Sequence, residues 1–323
     1  MSALNVPLCL GVLALGWRSV PESRSRQPGR LDLAGAVLAV VGLGAFTVAL
    51  TDATSGRPGV VAATTAVAVV ALVAFLLVEH RRRDPLLPLG LFRSRVFSAA
   101  NAMTFLVYGA LVVFFVLVLQ LQVSAGWSAL AAGLTSIPLT IALMLLSPWA
   151  GGLASRIGPR VPMTVGPLVC ALGLLLLGVG EGTRWYDVLV GLVVFALGMA
   201  LLVSPLTTAV LAAVPEEHAG IASGINNAVA RAGSLLAVAA LPVVAGLSGD
   251  AYLDPGSMTS GYRASMTACA GLMAAGGVTS WLGLGPRDDA AVTKGGADGA
   301  APRPEPVSAS GRPGAGLRTS LER

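Results

Sequence analysis

The chain has 323 residues, 55% of them hydrophobic and 11% charged, with a mean hydropathy of +0.79. Soluble domains carry about a quarter charged residues, so this composition excludes a soluble globular protein and points to an integral membrane protein. The formal net charge of +5 is too small and too dispersed for a nucleic-acid partner. Basic loops on the cytoplasmic side of a membrane account for it better.

In chain order, residues 1–17 form an apolar stretch somewhat shorter than the ~20 residues that cross a bilayer. Its positive charges (Arg18, Arg24, Arg26, Arg30) follow the apolar run, the reverse of a signal peptide. This predicts a spanning helix with a shortened start. Further spans are predicted at about 33–50 and 60–78, joined by a short hairpin with Asp52, Gly56 and Pro58. A charged, proline-containing connector, 79–95, then reads as an interfacial segment held by its arginines. Six more spans follow at about 98–122, 129–148, 162–180, 186–210, 224–247 and 263–284. From residue 285 onward the chain is rich in Gly, Pro, Ala, Ser and charge, which predicts a disordered tail.

The expectation is therefore an all-α membrane protein of about nine transmembrane helices. The loops 18–30, 81–95 and 156–160 are basic and fall on one side if the spans alternate, whereas the loops near Asp52, Gly126 and Glu181 are poor in Lys and Arg. The basic set and the tail are assigned to the cytoplasm. The acidic loop from Pro215 to His218 falls on the same side and fits least well.

Enzyme chemistry finds no footing. Cys9, Cys170 and Cys269 lie far apart in apolar stretches and read as small hydrophobes, without disulfide or metal spacing. His80 and His218 sit in loops beside charges, and no nucleophile is spaced with a base in the spans. Neither a metal nor a cofactor is expected.

Between two of the spans lies a short basic turn with Gly151, three residues, Ser155, Arg156, one residue, Gly158, Pro159 and Arg160. This order resembles the loop signature of the major facilitator superfamily, with Ser155 where that family usually has aspartate. Further stretches extend the likeness. Asn5-Val6-Pro7 leads into an apolar span followed by Pro21-Glu22-Ser23; Pro85-Leu86-Leu87-Pro88 runs on to Leu91-Phe92-Arg93; and Ala219-Gly220 leads to Asn226-Asn227. Together they are similar to the C-terminal portion of the fourteen-span drug:proton antiporter (EmrB/QacA-like) family. The resemblance implies that about five N-terminal spans precede the chain. It divides the sequence into 1–32, the last helix of the N-terminal bundle with a basic loop; 33–97, two linker helices and a connector; 98–284, a C-terminal six-helix bundle; and 285–323, a cytoplasmic tail.

The family further implies export of small amphiphilic drug-like compounds by alternating access around a midplane site, driven by the proton gradient with no bound cofactor, in a bacterial cytoplasmic membrane. No carboxylate is expected deep in any span, so the coupling acid is assigned to the missing helices, and this length of chain alone is not expected to transport. Besides membrane lipid, a partner supplying those helices is one expectation; the alternative is a non-transporting interaction subunit or a degenerate remnant.

Several residues have two readings. Asn101, Tyr108, Phe115 and Gln122 recur every seven residues, as a drug-cavity wall or as headgroup and packing positions. Ser223, Asn227 and Arg231, spaced by four beside Asn226, line a cavity or, if Arg231 lies near a membrane surface, snorkel to it. Gly151, Ser155, Arg156, Gly158 and Arg160 form a cytoplasmic gate or a simple positive anchor. Pro205 is a hinge or a packing position. The glycine stripes Gly166/Gly173/Gly180 and Gly191/Gly198 are expected to let two helices approach closely.

Overall fold

A computed structural model of the chain describes residues 32–52, 57–81, 89–180, 184–215, 218–247 and 249–285, together with Cys9, Gly11, Leu13 and Gly16. The rest of the predicted first span and the tail from 286 lie outside these residues. Among the described residues the long elements are all helical: α1 Leu33–Asp52, α2 Pro58–Arg81, α3 Arg95–Ala110, α4 Val113–Val123, α5 Ala129–Leu134, α6 Ile137–Ile157, α7 Arg160–Val179, α8 Trp185–Ala212, α9 Ala219–Val244 and α10 Pro255–Gly283. Short 3-10 turns, Leu89–Arg93 and Gly249–Tyr252, precede α3 and α10.

Among the described residues, seven spans are long and apolar enough to cross a membrane, counting α3 with α4 and α5 with α6 as one span each. At 29 residues, α10 is about 43 Å long and makes an eighth long helix. Its serines, threonines and Arg263 keep it outside the apolar seven, yet it packs in the interior. Met258, Tyr262, Met266 and Met273 are fully buried along it, and Tyr262 donates its hydroxyl to Leu177 O at 2.9 Å.

Helices α3 to α10, six spans in all, pack as one bundle around a shared apolar core. The pairs α7–α8, α7–α10, α6–α8, α3–α10 and α3–α9 make its main contacts, while α1 and α2 pair mostly with each other and α1 touches α9. The predicted glycine stripes explain the tightest pair. A Cβ on Gly173 would lie 2.6 Å from Phe195 N, and one on Gly198 would lie 2.5 Å from Gly166 O. Backbone meets backbone there, an approach that lipid-embedded helices need because lipid provides no hydrophobic drive between them.

Four boundaries differ from the sequence expectation, each for a local reason. The fourth span is broken into α3 and α4 by a tight turn in which Val112 N, Phe114 N and Phe115 N each bond a carbonyl three residues back. The fifth span does not stop at Pro148. Helix α6 runs through it to Ile157, so Gly151, Ser155 and Arg156 are helical and the expected basic turn shrinks to Gly158 and Pro159. Gly158, at φ 83° and ψ 159°, takes a conformation open essentially to glycine alone. Helix α9 starts five residues early, at Ala219, which moves Arg231 to the middle of its helix. Helix α10 starts at Pro255 because Asp254 caps it, accepting from Ser257 N at 2.7 Å, with proline in the first turn.

Candidate functional site

The predicted cavity residues converge on one seam, where α3 crosses α9. Ser94 caps α3 by accepting from Phe97 N. One turn further on, Asn101 is buried and donates from Nδ2 to Phe97 O at 2.9 Å, leaving Oδ1 without a hydrogen-bond partner. The Thr104 hydroxyl lies 2.9 Å from Ala100 O and 2.8 Å from Asn226 Oδ1. A hydroxyl has one proton for two acceptors; turning the Asn226 amide over would let its NH2 group donate instead and satisfy both contacts.

The rest of the seam is backbone contact. Gly233 backs onto Phe105 O, where a Cβ would sit 2.5 Å away, and Ser234 donates to Tyr108 O at 3.2 Å. The tight turn between α3 and α4 begins immediately beyond. It separates Asn101 and Tyr108 on α3 from Phe115 and Gln122 on α4. Asn101 points into protein, whereas Tyr108 and Phe115 are 42% and 66% exposed. Gln122 is half-buried and donates to Val118 O within its own helix.

On α9, Asn226 belongs to the seam, and Ser223, Asn227 and Arg231 lie on an exposed strip. Arg231 is the thirteenth of 26 residues, at the middle of its helix.

The basic-turn residues divide in two. A Cβ on Gly151 would meet Ser204 Oγ at 2.7 Å, so this glycine admits α8 beside α6. Ser155 is exposed and donates to Gly152 O in its own helix, and Arg156 is exposed beside it. Arg160 instead reaches across the bundle. Its guanidinium lies 3.8 Å from the centre of the Trp281 ring and donates from Nη2 to Trp281 O at 3.1 Å. A cation at the last turn of α10 also answers that helix's carbonyl end. Pro205 is buried within the unbroken α8.

Sequence reasoning missed two polar groups. Gln120, fully buried two residues before the chosen Gln122, donates to Thr259 Oγ1 at 3.1 Å and accepts from Ser124, tying α4 to α10. Asp32 and Glu79 are each 2% exposed and meet where the α1–α2 hairpin closes on Gly35. A Cβ there would lie 2.6 Å from Glu79 Oε1 and 2.9 Å from Asp32 Oδ2, while Asp32 Oδ1 accepts from Gly35 N at 2.8 Å. Aspartate three residues before glycine at the start of an apolar run was the available signal for a helix cap; nothing marked Glu79 as its neighbour.

With this geometry described, comparison with known proteins places the chain. A family profile of the Major Facilitator Superfamily matches residues 4–238. The multidrug resistance protein Stp of Mycobacterium tuberculosis is 35% identical over 258 residues, covering 78% of this chain and 48% of that protein. The tetracenomycin C resistance and export protein of Streptomyces glaucescens is 30% identical, covering 78% and 48%. The multidrug efflux pump LfrA of Mycolicibacterium smegmatis is 28% identical, covering 83% and 51%. The chain thus spans about half the length of these curated relatives. It belongs to the major facilitator superfamily and is a multi-pass membrane protein.

Proposed function

We propose that this chain is the C-terminal part of a multidrug efflux transporter that exports small amphiphilic compounds from a bacterial cell by proton antiport, through alternating access. The observation that carries the reading is the 35% identity to multidrug resistance protein Stp across 78% of the chain. It is supported by exposed polar and aromatic side chains on the bundle, Tyr108, Phe115, Asn227 and Arg231. In a rocking mechanism such side chains are available to close on the other half of the transporter around the substrate. We further place the protein within the fourteen-span subfamily, with the C-terminus cytoplasmic. The two helices α1 and α2 would be its linker, and the proton-coupling acid would lie in spans supplied from outside this chain.

The test is expression of the complete gene in a pump-deficient bacterial host, with resistance scored over a broad drug panel. Raised resistance that a protonophore abolishes supports the proposal. Unchanged resistance to every compound, with the protein shown in the membrane, overturns it. Asn101→Ala and Tyr108→Ala should then shift drug preference; an unchanged profile would remove the cavity assignment.

A further inference from the structure

We infer that the exposed strip on α9 is a site for an anionic group, so that the favoured substrates are amphiphiles carrying a carboxylate, phenolate or sulfonate head. The inference rests on the transport reading above and specifies the charge of what is carried.

Arg231 stands twelve residues from the start of α9 and thirteen from its end, about 18–20 Å along the axis. An arginine at that depth costs about 2.5–3.5 kcal/mol against lipid, so the strip faces water, protein or ligand. Its guanidinium is exposed, with no hydrogen bond or ion pair engaging it among the described residues. Asn227 and Ser223 lie one and two turns before it on the same exposed strip, adding neutral polar groups beside the charge.

The remaining charges of the bundle give the strip its sign. Of the Asp and Glu residues between 95 and 283, Asp187 alone falls within a long helix among the described residues, in the first turn of α8. The other cations of α3 to α9, Arg95, Arg156 and Arg160, lie in first or last turns. In their middle turns α3 to α9 therefore present one cation and no acid, and the one interior charge of α10, Arg263, is also a cation. A planar guanidinium accepts a carboxylate in two parallel charge-assisted hydrogen bonds, and the uncompensated charge disfavours a cationic substrate at the same place. The apolar body of the ligand has exposed aromatic surface available on the neighbouring helix, where Ser234 of α9 joins the backbone of Tyr108.

The experiment uses the protein expressed from its complete gene and purified in detergent, with two xanthene dyes: fluorescein, an anion, and rhodamine 6G, a cation. Fluorescence anisotropy should show preferred binding of fluorescein. Arg231→Ala should weaken that binding about tenfold, equivalent to about 1.4 kcal/mol, Arg231→Lys should retain part of it, and rhodamine 6G should bind as well or better. A wild type with no preference for fluorescein, or an Arg231→Ala variant that binds it normally, overturns the inference. So does an equal loss of both dyes, which would mean that Arg231 meets a carboxylate of the protein itself. Dye efflux from cells separates the two readings. Arg231-dependent binding without efflux overturns the transport reading and leaves the anion site standing.

Discussion

Helices α7 and α8 and helices α1 and α2 are two neighbouring pairs held in opposite ways. In their most apolar 18-residue stretches α7 and α8 are 50% and 56% buried, against 17% and 11% for α1 and α2, although the two pairs are similarly apolar. Burial here does not follow hydrophobicity, because lipid solvates leucine and valine as well as protein does. It follows surface shape. In α7 and α8 glycines recur so that the two backbones interlock, with Gly166 facing Gly198 and Gly173 facing Gly191. In α1 and α2 the corresponding close contacts are two: Gly42 against Leu72, and Gly35 against the Asp32 and Glu79 carboxylates.

The sharpest way to break this comparison is one methyl group placed in each pair. Gly198→Ala puts a Cβ 2.5 Å from Gly166 O and 2.6 Å from Cys170 N, both backbone atoms with little freedom to move. A loss of about 1–3 kcal/mol is expected, read as a lower unfolding temperature in detergent. Gly44→Ala in α1 meets nothing within 4 Å and should raise stability by up to about 1 kcal/mol. Equal shifts in the two variants would dissolve the distinction.

The Arg160–Trp281 contact is the next test, since it fastens the start of α7 to the end of α10 within the bundle. A double-mutant cycle with Arg160→Ala and Trp281→Ala should give a coupling of about 0.5–1 kcal/mol. If the coupling is zero while transport falls on mutation of Arg160, the residue works as a gate and the clamp is incidental.

A smaller effect is expected at the start of α10. The hydrogen bond from Ser257 N holds the Asp254 carboxyl below the usual carboxylate range. A depressed folded-state pKa means that the cap's contribution is fully present above the unfolded value, about 3.9, and fades as pH falls through the lower folded value. Asp254→Asn should therefore flatten the stability of α10 below about pH 4, measured by amide exchange along its first turn. An unchanged acid limb would show that the cap adds nothing.

How much of this was legible in the residues varies from helix to helix. Spans with unbroken apolar composition, such as α7 and α8, stood out, and their glycine stripes correctly implied close packing. Pro148 misled as a terminator: its ring cost α6 only local hydrogen bonding, and the helix stopped instead at Gly158, whose positive φ other residues rarely adopt. The seven-residue run from Asn101 to Gln122 assumed a uniform helix, and a tight turn divides it between α3 and α4.

Composition and loop charge by themselves determined that the chain is a polytopic helical membrane protein, because burying so many apolar residues without charge has no soluble solution. The order of the motifs pointed to its superfamily. Tertiary structure decided everything that depends on which faces meet: Asn226 with Thr104, Gln120 with Thr259, Asp32 with Glu79, Arg160 with Trp281. These partners come from separate helices, in most cases more than a hundred residues apart, and helix periodicity is a local property that carries no record of the neighbour across the bundle.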